Sequence, residues 1–193
     1  MMKKTLFTLA MACSFLLSVA QDKPQKGPQK GPQFENPNSD ARGYLVKVGD
    51  IAPSDFQLVL HDGTKTSLAE LKGKIVILQF TASWCVVCRK EMPELEKEVW
   101  QAYKDKGVVL IGVDRDEPLD VVQKFHKDMN ISYPLALDPG AGIFQRFADK
   151  KAGVTRNVVI DRNGKIQYLT RLYNQEEFEG MVKVIDQLSI TKS

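Results

Sequence analysis

An almost unbroken apolar run at residues 74–80 leads, a few residues later, into two cysteines spaced as Cys85-Val86-Val87-Cys88. An apolar run of this length predicts a buried central strand. The stretch 86–103 is predicted to be helical, with a bend at Pro93. The two cysteines therefore lie between the end of a buried strand and the start of a helix, and this strongly limits the folds that the chain can adopt.

The rest of the chain alternates strand and helix patterns. Strands are predicted at 56–60, 65–67, 108–113, 133–137, 157–160 and 166–170. Helices are predicted at 68–71, where Ser67 can act as the N-cap, and at 119–129, 143–148 and 176–188. Such alternation, ending in a hairpin and a helix, indicates an α/β fold with a central mixed sheet and helices on both sides.

The N-terminus has the pattern of an export signal. Lys3 and Lys4 precede an apolar segment that ends in small residues at Ser18-Val19-Ala20. Residues 1–20 are therefore predicted to be a signal peptide. The alternative is a lipoprotein anchored through Cys13, although the residues before that cysteine fit poorly.

The next segment has a different composition. Residues 21–42 are rich in proline, glycine, glutamine and lysine, and Gln25-Lys26-Gly27-Pro28 repeats directly as Gln29-Lys30-Gly31-Pro32. This composition cannot bury enough apolar surface to fold, so it predicts a linker. Residues 43–193 are predicted to form one domain, and no stretch of the mature chain is apolar enough to span a membrane.

Charge and cysteine content narrow the function. The formal net charge is only +3, and two of the positive charges belong to the predicted signal, so we expect no nucleic-acid partner. Removal of Cys13 leaves Cys85 and Cys88 as the cysteines of the mature chain. A disulfide between residues so close in sequence removes little entropy from the unfolded chain, which favours a reactive pair over a structural one.

A lone C-x-x-C motif can be half of a zinc site, a structural knuckle or a redox centre. Zinc normally takes four ligands, and His61 and His126 would have to supply the others from distant segments that we expect to be ordinary surface. At a helix N-terminus, free N–H groups stabilise a thiolate. We therefore favour redox chemistry, with Cys85 as an exposed nucleophile and Cys88, one turn further along, as the buried resolving thiol.

The extended stretch from Phe80 to Pro93, with its W-C-x-x-C-x-x-E-x-P pattern, resembles the active site of the TlpA/ResA-like thioredoxin family. The resemblance covers roughly residues 48–190, including Val48-Gly49-Asp50-Ile51-Ala52-Pro53 and the segment 159–165. It implies a thioredoxin fold with an N-terminal β-hairpin extension and a central insertion. It also implies an exported thiol–disulfide oxidoreductase with a Cys85–Cys88 disulfide.

Glu91 matches the acidic residue of that pattern. It lies three residues after Cys88 on the predicted helix, so the two side chains share a face. Its carboxylate can accept a proton from Cys88, and its charge opposes thiolate formation. Thioredoxin carries a buried aspartate at the position of Gln79, which cannot titrate. Glu91 is therefore the predicted acid–base residue, against the alternative of a solvated carboxylate.

One position departs from the family pattern. The family has a cis-proline facing the dithiol where this chain has Thr155, between Val154 and Arg156. A cis bond before a residue other than proline costs about 2.5–4 kcal/mol, so we expect a trans or strained loop. Together with Trp84, these three residues are the candidates for contact with a partner protein.

The direction of electron flow is a separate question. Val86 and Val87 offer a thiolate neither charge nor side-chain hydrogen bonds. We therefore expect a potential nearer thioredoxin's roughly −270 mV than DsbA's roughly −120 mV, and so a disulfide reductase. The expected partners are protein thiols or disulfides and an upstream electron-donor protein, with no cofactor and no metal.

Two alternatives differ in kind. One is a thiol peroxidase of the peroxiredoxin type, which shares the fold, although the usual Pro-x-x-x-Thr approach to the cysteine is missing. The other is a metal- or partner-binding module without catalysis. The acidic segment Asp114-Arg115-Asp116-Glu117 suggests only a solvated loop.

Overall fold

The computed structural model describes residues 40–191. Within them, seven strands form one sheet in the order β2-β1-β5-β4-β3-β6-β7. β3, β4 and β5 are parallel, and the other neighbouring pairs are antiparallel. The strands are β1 (Leu58–Leu60), β2 (Lys65–Thr66), β3 (Ile75–Thr81), β4 (Val108–Arg115), β5 (Leu135–Asp138), β6 (Arg156–Ile160) and β7 (Ile166–Leu169).

In the same described residues, four α-helices flank the sheet: α1 (Val86–Glu94), α2 (Leu119–Asp128), α3 (Phe144–Phe147) and α4 (Gln175–Ile190). The helix that begins at the cysteines continues beyond α1 as a π-helix over Leu95–Gln101. Pro93 lies inside α1 and has no N–H to donate to the preceding turn. The predicted bend is therefore a change of helical type directly after the proline.

The central strand β3 is buried along its whole length, as its composition predicts. On one face of the sheet its side chains pack with Phe144 and Phe147, and on the other with Met92 and Phe125. Two apolar layers thus sandwich β3, and five of its seven residues are apolar.

This is the thioredoxin-like fold, with the two expected additions. The β1–β2 hairpin joins the sheet through antiparallel pairing of β1 with β5. The central insertion falls within the segment between β4 and β6, which contains α2, β5 and α3. β3 lies inside the sheet between β4 and β6, and the cysteine pair follows its C-terminal end.

The short helix predicted at 68–71 is wrong. Ser67 does accept a hydrogen bond from the backbone N–H of Glu70, at 3.2 Å, but the chain forms successive turns that end at Gly73. The N–H of Leu71 bonds to the carbonyl of Ser67, four residues back, but those of Lys72 and Lys74 bond only three residues back, so the hydrogen-bond pattern of an α-helix is not continued.

The predicted signal at 1–20, with Cys13, and most of the linker at 21–42 lie outside the described residues. Between residues 40 and 191, no helix has both the length and the apolar character needed to cross a bilayer.

Candidate active site

The cysteine pair lies at the junction between β3 and α1. Cys85 is the N-cap of α1, and the backbone N–H of Cys88 points at its sulfur at 3.2 Å. The two cysteines form a disulfide, with Cα atoms 5.3 Å apart. The predicted pairing and its place at the helix N-terminus are confirmed.

The exposure of the pair differs from the prediction. Cys88 is fully buried as expected, but Cys85 is only 7% exposed. The neighbouring Trp84, in contrast, is 63% exposed and stands beside the disulfide on the protein surface. Little of Cys85 is therefore accessible, and the exposed surface next to it is that of the Trp84 indole.

Thr155 lies directly against both sulfurs. Its Oγ1 is 3.2 Å from Sγ of Cys85 and 3.2 Å from Sγ of Cys88, and the residue is only 3% exposed. All peptide bonds in the described part of the chain are trans, including the one before Thr155. The sequence placed Thr155 opposite the dithiol through the family resemblance, but gave no signal that its hydroxyl would face the sulfurs.

The side chains on either side of Thr155 face inwards. Val154 is buried, and Arg156 is fully buried, with its guanidinium 4.4 Å from the ring centre of Tyr44. The Arg156 side chain donates to the carbonyl of Gly153 instead of facing the surface. The Arg156 side chain is therefore held in the interior, and contact of a partner with this loop position stays a prediction.

Three arginines hold the 150–156 loop. Arg115 donates to two of its carbonyls, Arg156 to that of Gly153 at 3.0 Å, and Arg171 to that of Thr155 at 3.4 Å. A Cβ atom at Gly153 would lie 2.4 Å from the Arg171 guanidinium, so a larger residue here would have to displace the end of that side chain. These bonds fix the backbone that carries Thr155.

Glu91 is buried, at 1% exposed, so the alternative of a solvated carboxylate is excluded. Its carboxylate accepts hydrogen bonds from Asn157 Nδ2 at 2.7 Å and from Gln79 Nε2 at 3.3 Å. Burial raises the pKa of Glu91 to about 7, although these two hydrogen bonds act in the opposite direction. Glu91 therefore titrates near neutral pH.

The two amides are themselves held by further groups. The Tyr133 hydroxyl donates to Gln79 Oε1 at 2.8 Å, and Asn157 Nδ2 also donates to Thr170 Oγ1 at 2.9 Å. Burial raises the pKa of Tyr133, so it stays a neutral donor. Sequence reasoning missed Asn157, Thr170 and Tyr133, because nothing local links them to Glu91.

A second carboxyl group lies near the active-site turn. Asp114 is fully buried at the C-terminal part of β4, beside Thr81 of β3, and neither of its oxygens has a hydrogen-bond partner. Burial and the nearby charge of Glu117 raise the pKa of Asp114 to about 8. Glu117 accepts hydrogen bonds from the backbone N–H and hydroxyl of Ser83. The expectation of a solvated acidic loop is wrong for Asp114.

The two histidines are not ordinary surface residues either. The rings of His61 and His126 stack with their centres 4.0 Å apart, and each makes a hydrogen bond to the backbone around β5. They fasten the β1–β2 hairpin to α2. In residues 40–191 there is no cluster of three or more histidine, cysteine, aspartate or glutamate side chains arranged to hold a metal ion.

The site combines a buried disulfide at a helix N-terminus with a buried carboxyl group, that of Glu91, one helix turn further along. With the thioredoxin-like fold, this combination defines the class of dithiol redox proteins. The chain belongs to the AhpC/TSA family, whose pattern it matches over residues 48–169. It is a thiol–disulfide oxidoreductase similar to ResA. The ResA of Bacillus thuringiensis subsp. konkukian is 34% identical over 150 residues, which cover 75% of this chain and 84% of that protein.

Solved structures agree with this assignment. A Bacteroides thetaiotaomicron protein, described provisionally as a protein disulfide isomerase, is 54% identical with a TM-score of 0.75, covering 77% of this chain and 94% of that one. A Chlorobium tepidum protein, described provisionally as the thiol:disulfide interchange protein DsbE, is 26% identical with a TM-score of 0.65. That match covers 75% of this chain and 99% of the other.

Proposed function

We propose that this protein is an extracytoplasmic reductase that transfers electrons from its Cys85/Cys88 dithiol to disulfides in exported proteins. The observation that carries the proposal is the position of Cys85 at the N-cap of α1, in disulfide contact with Cys88, which lies about one turn before the buried Glu91. Both the nucleophile and a base that titrates near neutral pH are thus present in one site.

The reaction has two exchange steps. The Cys85 thiolate attacks one sulfur of the substrate disulfide, forming a mixed disulfide and releasing the other sulfur as a thiolate that takes up a proton. Cys88 then gives its proton to the Glu91 carboxylate and attacks the Cys85 sulfur, which releases the second substrate thiol. Two electrons pass to the substrate, and the protein is left with the Cys85–Cys88 disulfide.

The oxidised protein must be reduced again by the dithiol of an upstream donor protein. For both partners, the exposed indole of Trp84 is the candidate contact surface next to the disulfide. The backbone of the 150–156 loop, on the other side of the sulfurs, is the second candidate. Aromatic side chains of this kind supply much of the binding energy in protein interfaces.

The reducing direction is supported by the surroundings of the thiols. Val86 and Val87 contribute no charge or side-chain donor, and an ionised Glu91 disfavours a second negative charge on the adjacent helix turn. A less stabilised thiolate goes with a lower potential, as in thioredoxin compared with DsbA.

The test is insulin-disulfide reduction combined with trapping. The reduced wild type should reduce insulin, Cys85→Ser should lose this activity, and Cys88→Ser should accumulate mixed disulfides with substrate. Trapping by Cys85→Ser instead would reverse the roles of the two cysteines. A potential close to DsbA's on equilibration with glutathione, or rapid peroxide consumption, would replace the reductase assignment with an oxidase or a thiol peroxidase.

Export is the second part of the proposal. It is supported by the Lys3-Lys4 start, the apolar run and Ser18-Val19-Ala20. N-terminal sequencing of the processed protein should give Gln21. A lipidated Cys13 at the N-terminus would show membrane anchoring in place of secretion.

A further inference from the structure

We propose that Thr155 is a catalytic residue whose hydroxyl donates a hydrogen bond to the attacking thiolate, first that of Cys85 and then that of Cys88. This inference deepens the proposed function, because it assigns a role within the same two exchange steps. It assigns to Thr155 a chemistry that a proline at this position cannot supply, since proline has no side-chain donor.

The donor is identified by the chemistry of the disulfide. Neither sulfur of a disulfide carries a proton, so in the oxidised protein only Thr155 can donate across the two 3.2 Å contacts. On reduction, a thiolate appears where a weakly accepting sulfur stood. A hydroxyl already in place then meets a charged acceptor, and hydrogen bonds to charged groups are about twice as strong as those between neutral groups.

The two equal distances matter for the order of events. When Cys85 is the nucleophile, its sulfur receives the Thr155 hydroxyl as well as the backbone N–H of Cys88. When Cys85 is tied up in the mixed disulfide, the thiolate needed next is that of Cys88. The same hydroxyl is within reach of that sulfur, so rotation about one side-chain bond serves both steps.

The hydroxyl is held in place before the reaction. Thr155 is shielded from water, and its loop is fixed by the carbonyl contacts of Arg115, Arg156 and Arg171. A donor that is already oriented and desolvated needs little reorganisation when charge develops on the sulfur. This is the arrangement expected of a group that stabilises a thiolate.

The test compares Thr155→Val, which replaces the hydroxyl with a methyl group of similar size, with Thr155→Ser, which keeps the hydroxyl. In the reduced protein, thiolate absorbance against pH should show the pKa of Cys85 raised by about one unit in Thr155→Val. Thr155→Ser should remain close to the wild type. Below both pKa values, alkylation of Cys85 by iodoacetamide should slow by about fourfold, since the rise in intrinsic nucleophilicity offsets part of the lost thiolate.

The outcomes separate the two proposals, because the titration needs no substrate and no direction of electron flow. If Thr155→Val titrates like the wild type, the hydroxyl does not act on the thiolate and the inference fails, whatever the insulin assay shows. If the titration shifts but the wild type does not reduce insulin, the reductase proposal fails and the role of Thr155 stands. Should Thr155→Val not fold, Thr155→Ala provides the same comparison without the extra methyl groups.

Discussion

Two buried carboxyl groups lie close to the active-site turn, and the protein treats them differently. Glu91 receives one hydrogen bond from each of two side-chain amides, those of Asn157 and Gln79. Asp114 receives none, and faces the charge of Glu117 instead. Burial raises the pKa of both groups, to about 7 for Glu91 and to about 8 for Asp114.

The difference shows how one fold can keep one acid available for proton transfer and another neutral. Amide donors stabilise the ionised form of Glu91 and hold its pKa within the range where it can both take and return a proton. Asp114 has no such donors, and a neighbouring negative charge disfavours its ionisation. It therefore stays mostly protonated at pH 7.

The largest effect is expected from removing the titrating group. Glu91→Gln should slow the resolution of a mixed disulfide on Cys85 by about 100-fold, because Cys88 loses the acceptor for its proton. It should also lower the apparent pKa of the cysteines, since one opposing charge is gone. Stopped-flow measurement of thiol release from a preformed mixed disulfide, and thiolate absorbance against pH, give the two quantities.

Glu94→Gln is the matched control, because Glu94 lies one turn further along the same helix and is only half-buried. It should leave both quantities near the wild-type values. An equal loss in the two variants would mean that the overall charge of the helix, and not proton transfer at Glu91, sets the resolution rate.

The second prediction concerns Asp114 and stability. The pKa of Asp114 is raised on folding from the ordinary 3.8 to about 8, so between these values the folded state binds more protons than the unfolded state. This group therefore lowers the stability as the pH rises from about 4 to about 8, and adds no further change above that. Asp114→Asn removes the titration and should be more stable than the wild type at pH 8.5 by about 1–3 kcal/mol.

Urea unfolding at pH 5 and pH 8.5 measures this difference, which should be much smaller at pH 5. Asp105→Asn changes an exposed carboxylate and should show no such pH dependence. If Asp114→Asn gave the same change in stability at both pH values, Asp114 would already be ionised in the folded protein at pH 5, and the contrast with Glu91 would disappear.

The same two residues show what could be predicted from sequence. Strand β3, the N-cap position of Cys85 and helix α4 follow from local apolar patterns, and the structure has them within one or two residues of the predicted ends. The spacing of Glu91 alone predicts that it lies on the same helix face as Cys88. Its burial, however, depends on Asn157, 66 residues away, and on Gln79 in the preceding strand.

The burial of Asp114 is harder still to predict from sequence, because a polar residue after an apolar run suggests that the strand has ended. In the structure β4 continues to Arg115, because Asp114 pairs with Thr81 of β3 on one side and Arg115 pairs with Asp138 of β5 on the other. Pairing with neighbouring strands overrides the local pattern, and no periodicity within β4 itself carries that information.

The smallest effect should come from removing one donor to Glu91, which makes this group more like Asp114. Asn157→Leu deletes the 2.7 Å hydrogen bond to the carboxylate, so the neutral form is favoured and the pKa of Glu91 should rise by about one unit. Resolution of the mixed disulfide needs the ionised form, so the midpoint of its pH profile should move upward by the same amount. Gln79→Leu deletes the longer 3.3 Å bond and should move the midpoint less. A lower rate with an unchanged midpoint in both variants would mean that the amides only shape the core, and that burial alone sets the pKa of Glu91.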